Sequence, residues 1–191
     1  MKVKRTIETD VNAFKVGDII DFKLINGVKV QAMAMKQEED GMIFCFINCL
    51  PGEYYMNDTD TNEGGYEKSD LRKKLNNEIL NLFPAELMDM MISFDHGDLL
   101  RLPTEKEIFG ENYYGEDEES PCVKWWKPMK KRRNRIAFDK TKEENLQWNW
   151  LMNKVSESDA KFALVDAFGR ANHIDASCSL GVRPVFKLKN C

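Results

Sequence analysis

The stretch Ser179-Leu180-Gly181-Val182-Arg183-Pro184-Val185-Phe186-Lys187-Leu188 decides the fold reading, because an arginine and a proline interrupt an otherwise apolar terminal strand. Such a strand closes a sheet from within the core. A guanidinium cannot discharge, so burying Arg183 requires a paired or hydrogen-bonded partner. The expected partner is a carboxylate: Glu105, Glu107 or Asp70. The other reading of Arg183 is an anion clamp on a binding face.

Outward from that strand the chain is ordinary for a globular protein. It has 191 residues, 42% of them hydrophobic and 31% charged, and this length lets a domain bury about 70% of its unfolded surface. The net charge of -4 gives no general reason to expect nucleic acid or an anionic membrane as partner, although a local patch can defy the total. Neither a run of about 18 apolar residues nor the apolar stretch of a secretory signal is visible, so a cytoplasmic protein without a membrane partner is expected. Cys45, Cys49, Cys122, Cys178 and Cys191 are odd in number and lack a C-x-x-C pair, which fits reduced thiols. His96 and His173 are isolated, so no zinc site is expected.

Alternation on both sides of Asn26-Gly27 predicts a hairpin with a type I′ turn, residues 19–24 against 28–35. A second turn at Asp40-Gly41 leads into the unbroken apolar run of residues 42–47, a buried strand that completes an antiparallel meander. Residues 50–66 are rich in turn formers and read as a surface loop. Ser69 caps a helix from Asp70 to about Leu82, with Leu71, Leu75, Ile79, Leu82 and Phe83 on one face, and Pro84 restarts a helix to about Met91. Residues 99–102 read as a short strand. Thr104 and Glu107 form a capping box, and Gly110 ends that helix. Strand-like segments at 147–152 and 162–165 and a turn at Gly169 precede the terminal strand, Val182 to Leu188.

Three pieces together resemble a known family: Gly64-Gly65-Tyr66-Glu67-Lys68-Ser69-Asp70-Leu71-Arg72-Lys73-Lys74-Leu75-Asn76, then Leu100-Arg101-Leu102-Pro103-Thr104-Glu105-Lys106-Glu107, then Trp150-Leu151 with residues 162–169 and Gly181-Val182-Arg183-Pro184. They look like an uncharacterised domain family of Gram-positive gut bacteria and their prophages, over roughly residues 15 to 188. Its closing pattern is similar to the end of C-type-lectin-like domains, an architecture shared with formylglycine-generating enzymes and phage receptor-binding variable proteins. The resemblance implies that fold and a prophage or host-interaction setting. It does not carry a function with it. Cys178 and Cys191 do not reproduce the active-site cysteine pair of the sulfatase-activating enzymes, and the Glu-Pro-Asn or Gln-Pro-Asp tripeptide of calcium-dependent lectins is absent. No cofactor or metal is therefore expected.

Two segments are candidate sites. Tyr54, Tyr55, Asn57, Asp58, Asp60, Asn62 and Tyr66 mix aromatic rings with short polar groups, as a sugar site does, while the same residues also make turns. Counted from Asp58 the loop lacks the glycine and glutamate of an EF-hand. Trp125 and Trp126 adjoin Lys127, Lys130, Lys131, Arg132, Arg133 and Arg135, where cations can neutralise phosphates and indoles stack on bases. The plainer reading is a solvated face neutralised by Glu111, Glu116, Asp117, Glu118 and Glu119. His96 and His173 read as turn residues. Hydrolase and nucleotide-triphosphatase motifs are absent.

The sequence thus predicts a lead-in over residues 1–14 and a single α+β domain over 15–191. A β-meander at 15–48 is followed by a portion with a central helical pair and a C-type-lectin-like antiparallel sheet. The expected function is non-enzymatic binding of a protein or carbohydrate ligand through Tyr54, Tyr55, Asn57, Tyr66, Trp125 and Trp126. The alternatives are a nucleic-acid-associated protein using Lys130, Lys131, Arg132, Arg133 and Arg135, and an enzyme with an unrecognised site.

Overall fold

Alternating residues around Asn26-Gly27 form the expected hairpin. In the structure, a computed structural model that describes residues 14–115, 123–139 and 145–189, β1 (Ile19–Lys23) pairs antiparallel with β2 (Lys29–Gln37). Most of the expected lead-in, the acidic residues Glu116 to Glu119, and Cys122 and Cys191 lie outside the described residues.

The turn itself differs from the expectation. Only Gly27 has a positive φ, 91°, and its amide donates to the Leu24 carbonyl at 2.8 Å while the Leu24 amide donates to Val28 at 2.9 Å. This is the three-residue hairpin loop, which needs one left-handed residue instead of the two of a type I′ turn. Its extra residue is anchored, because the Ile25 amide donates to the Leu82 carbonyl at 2.9 Å.

The expected meander continues through β3 (Gly41–Phe46), antiparallel to β2. All six residues of β3 are buried, and the side chains alternate between two cores. Met42, Phe44 and Phe46 join one cluster, and Ile43 and Cys45 join the other. A sheet covered on both faces selects such an unbroken apolar run.

After β3 come the short strand β4 (Tyr54–Tyr55), α1 (Gly65–Lys68) and α2 (Asp70–Lys74). The expected surface loop at 50–66 therefore contains regular structure, and it is held from within. The Asn57 amide donates to the Thr61 carbonyl at 2.6 Å and its carbonyl accepts from the Asp70 amide at 3.1 Å. Asn62 donates to the carbonyls of Ser158 at 2.5 Å and Lys161 at 3.1 Å. Burial of Asn57 and Asn62 at 7% exposure each is possible because these bonds satisfy their amides.

Ser69 caps α2 as expected, its hydroxyl accepting from the Arg72 amide. Helical structure runs on to Leu82 through a π turn at Leu75–Ile79 and a 3₁₀ turn at Leu80–Leu82. Leu71, Leu75, Ile79 and Phe83 enter the larger core. The next helix, α3 (Ala85–Met88), stops short of Met91. Met91–Ile92 instead forms β5, paired with the terminal strand, because that strand offers a free edge there.

The capping box of Thr104 and Glu107 opens α4 (Glu105–Phe109), and Gly110 in left-handed conformation ends it. Residues 99–102 provide only one bridge, Arg101 to Val185, where the sequence predicts a strand. Two 3₁₀ turns, Lys127–Lys130 and Arg132–Asn134, follow. Then come β6 (Ala137–Asp139), β7 (Asn145–Gln147), β8 (Asn149–Lys154), β9 (Lys161–Val165), β10 (Ala171–Asp175), β11 (Ser179–Leu180) and β12 (Val185–Lys189). His173 lies in β10, not in a turn, opposite Ala163 of β9.

The architecture is α+β with antiparallel sheets. The main sheet has the order β1-β2-β3-β12-β5, and β10-β9-β8 form a second sheet. The terminal strand therefore completes the N-terminal meander and does not extend the β8–β10 sheet, since β3 offers it an apolar partner on both faces. Phe22, Phe44, Phe46, Phe83 and Phe186 meet there with ring centroids 5.6–6.2 Å apart.

Residues 179–184 form a seam between these parts. Leu180 pairs with Tyr54. Gly181 exchanges hydrogen bonds with Trp148 and Trp150, and a Cβ there would fall 2.6 Å from Cys49 Sγ and Gln147 Cγ. Arg183 is 1% exposed, and its partners are not the expected carboxylates. Its Nε donates to the Phe46 carbonyl at 2.8 Å, and its two terminal nitrogens donate to Arg135 at 3.3 Å and Asn134 at 3.2 Å. Glu107 and Asp70 are engaged by Arg101 and Lys73. Glu105 accepts from the Tyr114 and Gly115 amides.

Replacing Arg183 by alanine is expected to cost about 3–5 kcal/mol, since three carbonyls lose donors and a cavity opens. Arg183→Lys should recover only part, because an ammonium lacks the planar fork that reaches all three. Urea denaturation of both variants checks this. A cost under about 1 kcal/mol for alanine would show that Arg183 does not hold these segments together.

Candidate functional site

A cavity of about 570 Å3 opens beside the main sheet, lined by Lys36 of β2, Ile43 of β3 and Lys187 of β12. Its walls are Tyr66 and Glu67 of α1, Arg72 of α2, the loop around Phe94 and His96, the start of α4 with Thr104 and Glu107, and Met152 of β8. Strand alternation places Lys187 in this cleft. Its neighbours Phe186 and Leu188 enter the larger core, leaving Lys187 on the other face.

Asn76 fixes the approach to the cleft. Its side-chain carbonyl accepts from the Leu99 and Leu100 amides at 3.0 Å each, and its amide donates to the Leu100 carbonyl at 2.9 Å. That clamp orients Arg101, which forms a bidentate pair with Glu107 at 2.6 and 2.8 Å. Glu107 also accepts from the Thr104 amide, so the capping box and the ion pair share one carboxylate. Burial works to discharge Arg101, and the adjoining Glu107 outweighs it and holds the guanidinium above its ordinary value.

A second bidentate pair joins Arg72 to Asp98 at 2.6 and 3.0 Å, and the hydrogen bond from Arg72 to Asp98 raises the Arg72 pKa. Lys187 reaches Asp40 at 2.8 Å and Glu38 at 3.4 Å, and Lys36 reaches Glu38 at 2.8 Å. The Phe94 ring receives the Arg101 guanidinium at 4.6 Å and the Lys187 ammonium at 5.8 Å. Four fixed cations and five carboxylates thus line one cleft, nearly cancelling.

The loop carrying Phe94 and Asp98 closes through the Phe94 amide to the Asp98 carbonyl at 2.7 Å. At its tip His96 has a φ of 62°, the only positive value of a non-glycine residue among those described, and its Nε2 lies 3.2 Å from Glu67. A non-glycine residue held left-handed stores roughly 1–3 kcal/mol and is found where surrounding structure over-determines it. Tyr66 is 6% exposed, and its hydroxyl faces the Leu102 backbone without closing a hydrogen bond. Burial, assisted by Asp98, pushes its phenol well up, so it remains a neutral hydroxyl.

Both oxygens of Glu107 and of Asp98 are held by arginine. Ser93 lines the cleft, yet among the described residues it makes no hydrogen bond to His96, so a nucleophile with its base is not assembled. Burial pushes the Cys45 thiol up and that of Cys49 up to about 12, which keeps both unreactive. Among the described residues no group of His, Cys, Asp and Glu could hold a metal ion. No helix among them is long and apolar enough to cross a membrane.

The sequence-predicted site residues scatter. Tyr54 and Tyr55 line a separate pocket of about 220 Å3 with Lys73 and Lys74, and no residue of the basic run lines it. Asn57 is committed to its turn. Tyr66 alone of the aromatic candidates reaches the large cleft. Trp126 is 1% exposed and packs with Met129 and Leu151, so it belongs to the core and not to a binding face. Trp125 is 39% exposed, its indole donating to the Ile108 carbonyl at 3.0 Å. Lys130, Lys131, Arg132 and Arg133 are exposed, while Arg135 is half-buried over the Phe109 ring.

Sequence reasoning does not find Arg72, Phe94, His96, Asp98, Arg101 and Lys187 as a site. Their shared location is tertiary, although Arg72, Arg101 and Glu107 all lie in the segments that carry the family resemblance. No family description, curated protein or solved structure matches the chain.

The cleft predicts an acid limb in stability. Burial raises the Glu38 carboxyl, but Lys36 and Lys187 outweigh it and hold it below its ordinary 4.5, and Lys187 likewise holds Asp40 below 3.8. A depressed carboxyl stabilises the fold fully above its unfolded pKa and loses that contribution as pH falls through the folded value. Melting temperature should therefore drop as pH falls below 4.5. Lys187→Met should flatten that drop, and an unchanged slope would contradict the pairing.

Proposed function

We propose that this protein is a non-enzymatic binding protein whose ligand, a carbohydrate, occupies the cleft between α1, α2, the Phe94 loop and the start of α4. One observation carries the reading. The cleft of about 570 Å3 is lined by nearly cancelling charges around aromatic side chains, and its Asp98 and Glu107 carboxylates are each held by an arginine.

A glycan presents hydroxyls that donate and accept at once, on a ring with apolar faces. Bidentate pairs such as Arg72–Asp98 can share donors and acceptors with such hydroxyls, while Phe94 offers a ring to stack on. A net anionic ligand would meet five carboxylates, and a cationic one four cations. The strained tip at His96 supports the same place, since it holds Phe94 and Asp98 at the mouth.

The resemblance to the bacterial and prophage family supports this reading through its residues. Tyr66 and Arg72 come from its first piece, and Arg101, Thr104 and Glu107 from its second. On the same ground we read the C-terminal half as C-type-lectin-like and the setting as prophage or host interaction. The cytoplasm is the compartment that reduced thiols favour, and Cys45, Cys49 and Cys178 are free.

A glycan array probed with the full chain tests the proposal. At least one glycan should bind, with affinity about tenfold or more weaker in Phe94→Ala and in Arg72→Ala, a loss in the range expected for a site residue. An array without hits sensitive to these changes would overturn the carbohydrate reading. Binding of polar peptides at the same residues would move the ligand class to protein.

A further inference from the structure

Residues 124–135 contain seven cations and no acid, in a chain whose net charge is -4. Lys124, Lys127, Lys130, Lys131, Arg132 and Arg133 are all exposed. Among the described residues none of them takes part in an ion pair. This contrasts with the cleft, where every lysine and arginine has a carboxylate. Burial lowers the pKa of Arg135, and the nearby Arg132 guanidinium adds a smaller shift in the same direction.

Two exposed rings flank these cations. Trp125 lies under the Lys130 ammonium at 5.0 Å. Phe168, 56% exposed, stands at the tip of the β9–β10 hairpin with the Arg170 guanidinium 5.8 Å from its ring centre. The hairpin is fastened to the basic run, since Arg132 Nε donates to the Phe168 carbonyl at 2.7 Å. A Cβ on Gly169 would lie only 3.0 Å from the Arg132 carbonyl. Asp166 of that turn is spent on the Phe168 and Arg170 amides at 2.8 Å each.

We infer that the surface formed by residues 124–135 and the β9–β10 turn binds single-stranded nucleic acid, separately from the carbohydrate cleft. Concentrated unpaired cations neutralise phosphates and release their counterions. Rings displayed beside such a track stack on unpaired bases without regard to sequence. An anionic bilayer also attracts cations flanked by exposed rings, so vesicle binding is one outcome of the test. A duplex would keep its bases from the rings.

The test is fluorescence anisotropy of a labelled oligo(dT) of roughly 20 nucleotides with the full chain, from about 25 to about 300 mM salt. Binding should weaken linearly on log–log axes by about 0.7 per neutralised phosphate, and Arg132→Ala/Arg133→Ala should lower that slope by about 1.4. Phe168→Ala should weaken binding about tenfold and leave the slope unchanged, because a ring releases no counterions. These side chains are exposed, and unchanged melting temperatures verify folding. No binding at about 25 mM salt would overturn the inference. So would equal binding of a duplex, insensitivity to Phe168→Ala, or binding to phosphatidylserine vesicles but not to the oligonucleotide. Glycan binding is read separately, so failure of either site leaves the other standing.

Discussion

A single guanidinium, that of Arg183, joins parts of the chain that are far apart in sequence. Its three donors end on carbonyls of Phe46, Asn134 and Arg135, so one planar group ties the end of the meander to the segment after the basic run. A buried charge without a carboxylate would cost several kcal/mol were its N–H groups unmet. In this pocket carbonyl dipoles replace water. The Phe46 carbonyl lies at the end of β3 beside Pro184, which has no amide to donate. Partner and cation therefore solve each other's desolvation.

From that knot the rest follows in order. β12 leaves Pro184 beside β3 and buries Val185, Phe186 and Leu188 across both faces of the main sheet. The alternation that sends Phe186 inward sends Lys187 toward Asp40 and Glu38. The Arg101 bridge to Val185 then brings the start of α4 against the same strand, and with it Glu107. The cleft is a by-product of closing the sheet. Its charges are paired because they are half desolvated, whereas Lys127, Lys130, Lys131, Arg132 and Arg133 are exposed and make no ion pair among the described residues.

Local signals were legible where a short segment had one satisfactory solution. The Ser69 cap, the capping box at Thr104 and Glu107, and the left-handed Gly110 need only residues within a turn of each other. The unbroken apolar run of β3 announced burial on both faces. Legibility failed where the deciding partner lay far along the chain. Asn57, Asn62 and Tyr66 look like loop residues until β9, α2 and the 155–161 segment are brought around them. Met91 looks like the end of a helix until β12 offers an edge. Trp126 looks like half of an aromatic face until Met129 and Leu151 cover it.

By itself, then, the sequence determined the α+β class, the meander, the helix starts and the burial of Arg183, since these rest on periodicity, capping and the charge that arginine cannot lose. Only the tertiary structure decided what Arg183 bonds to, that the terminal strand joins the first sheet, and that Arg72, Phe94, Asp98, Arg101, Glu107 and Lys187 share one cleft. The physical reason is the range of the interactions. Caps and turns are completed within a few residues, while ion pairs and strand edges take the nearest complementary group in space, whatever its distance along the chain.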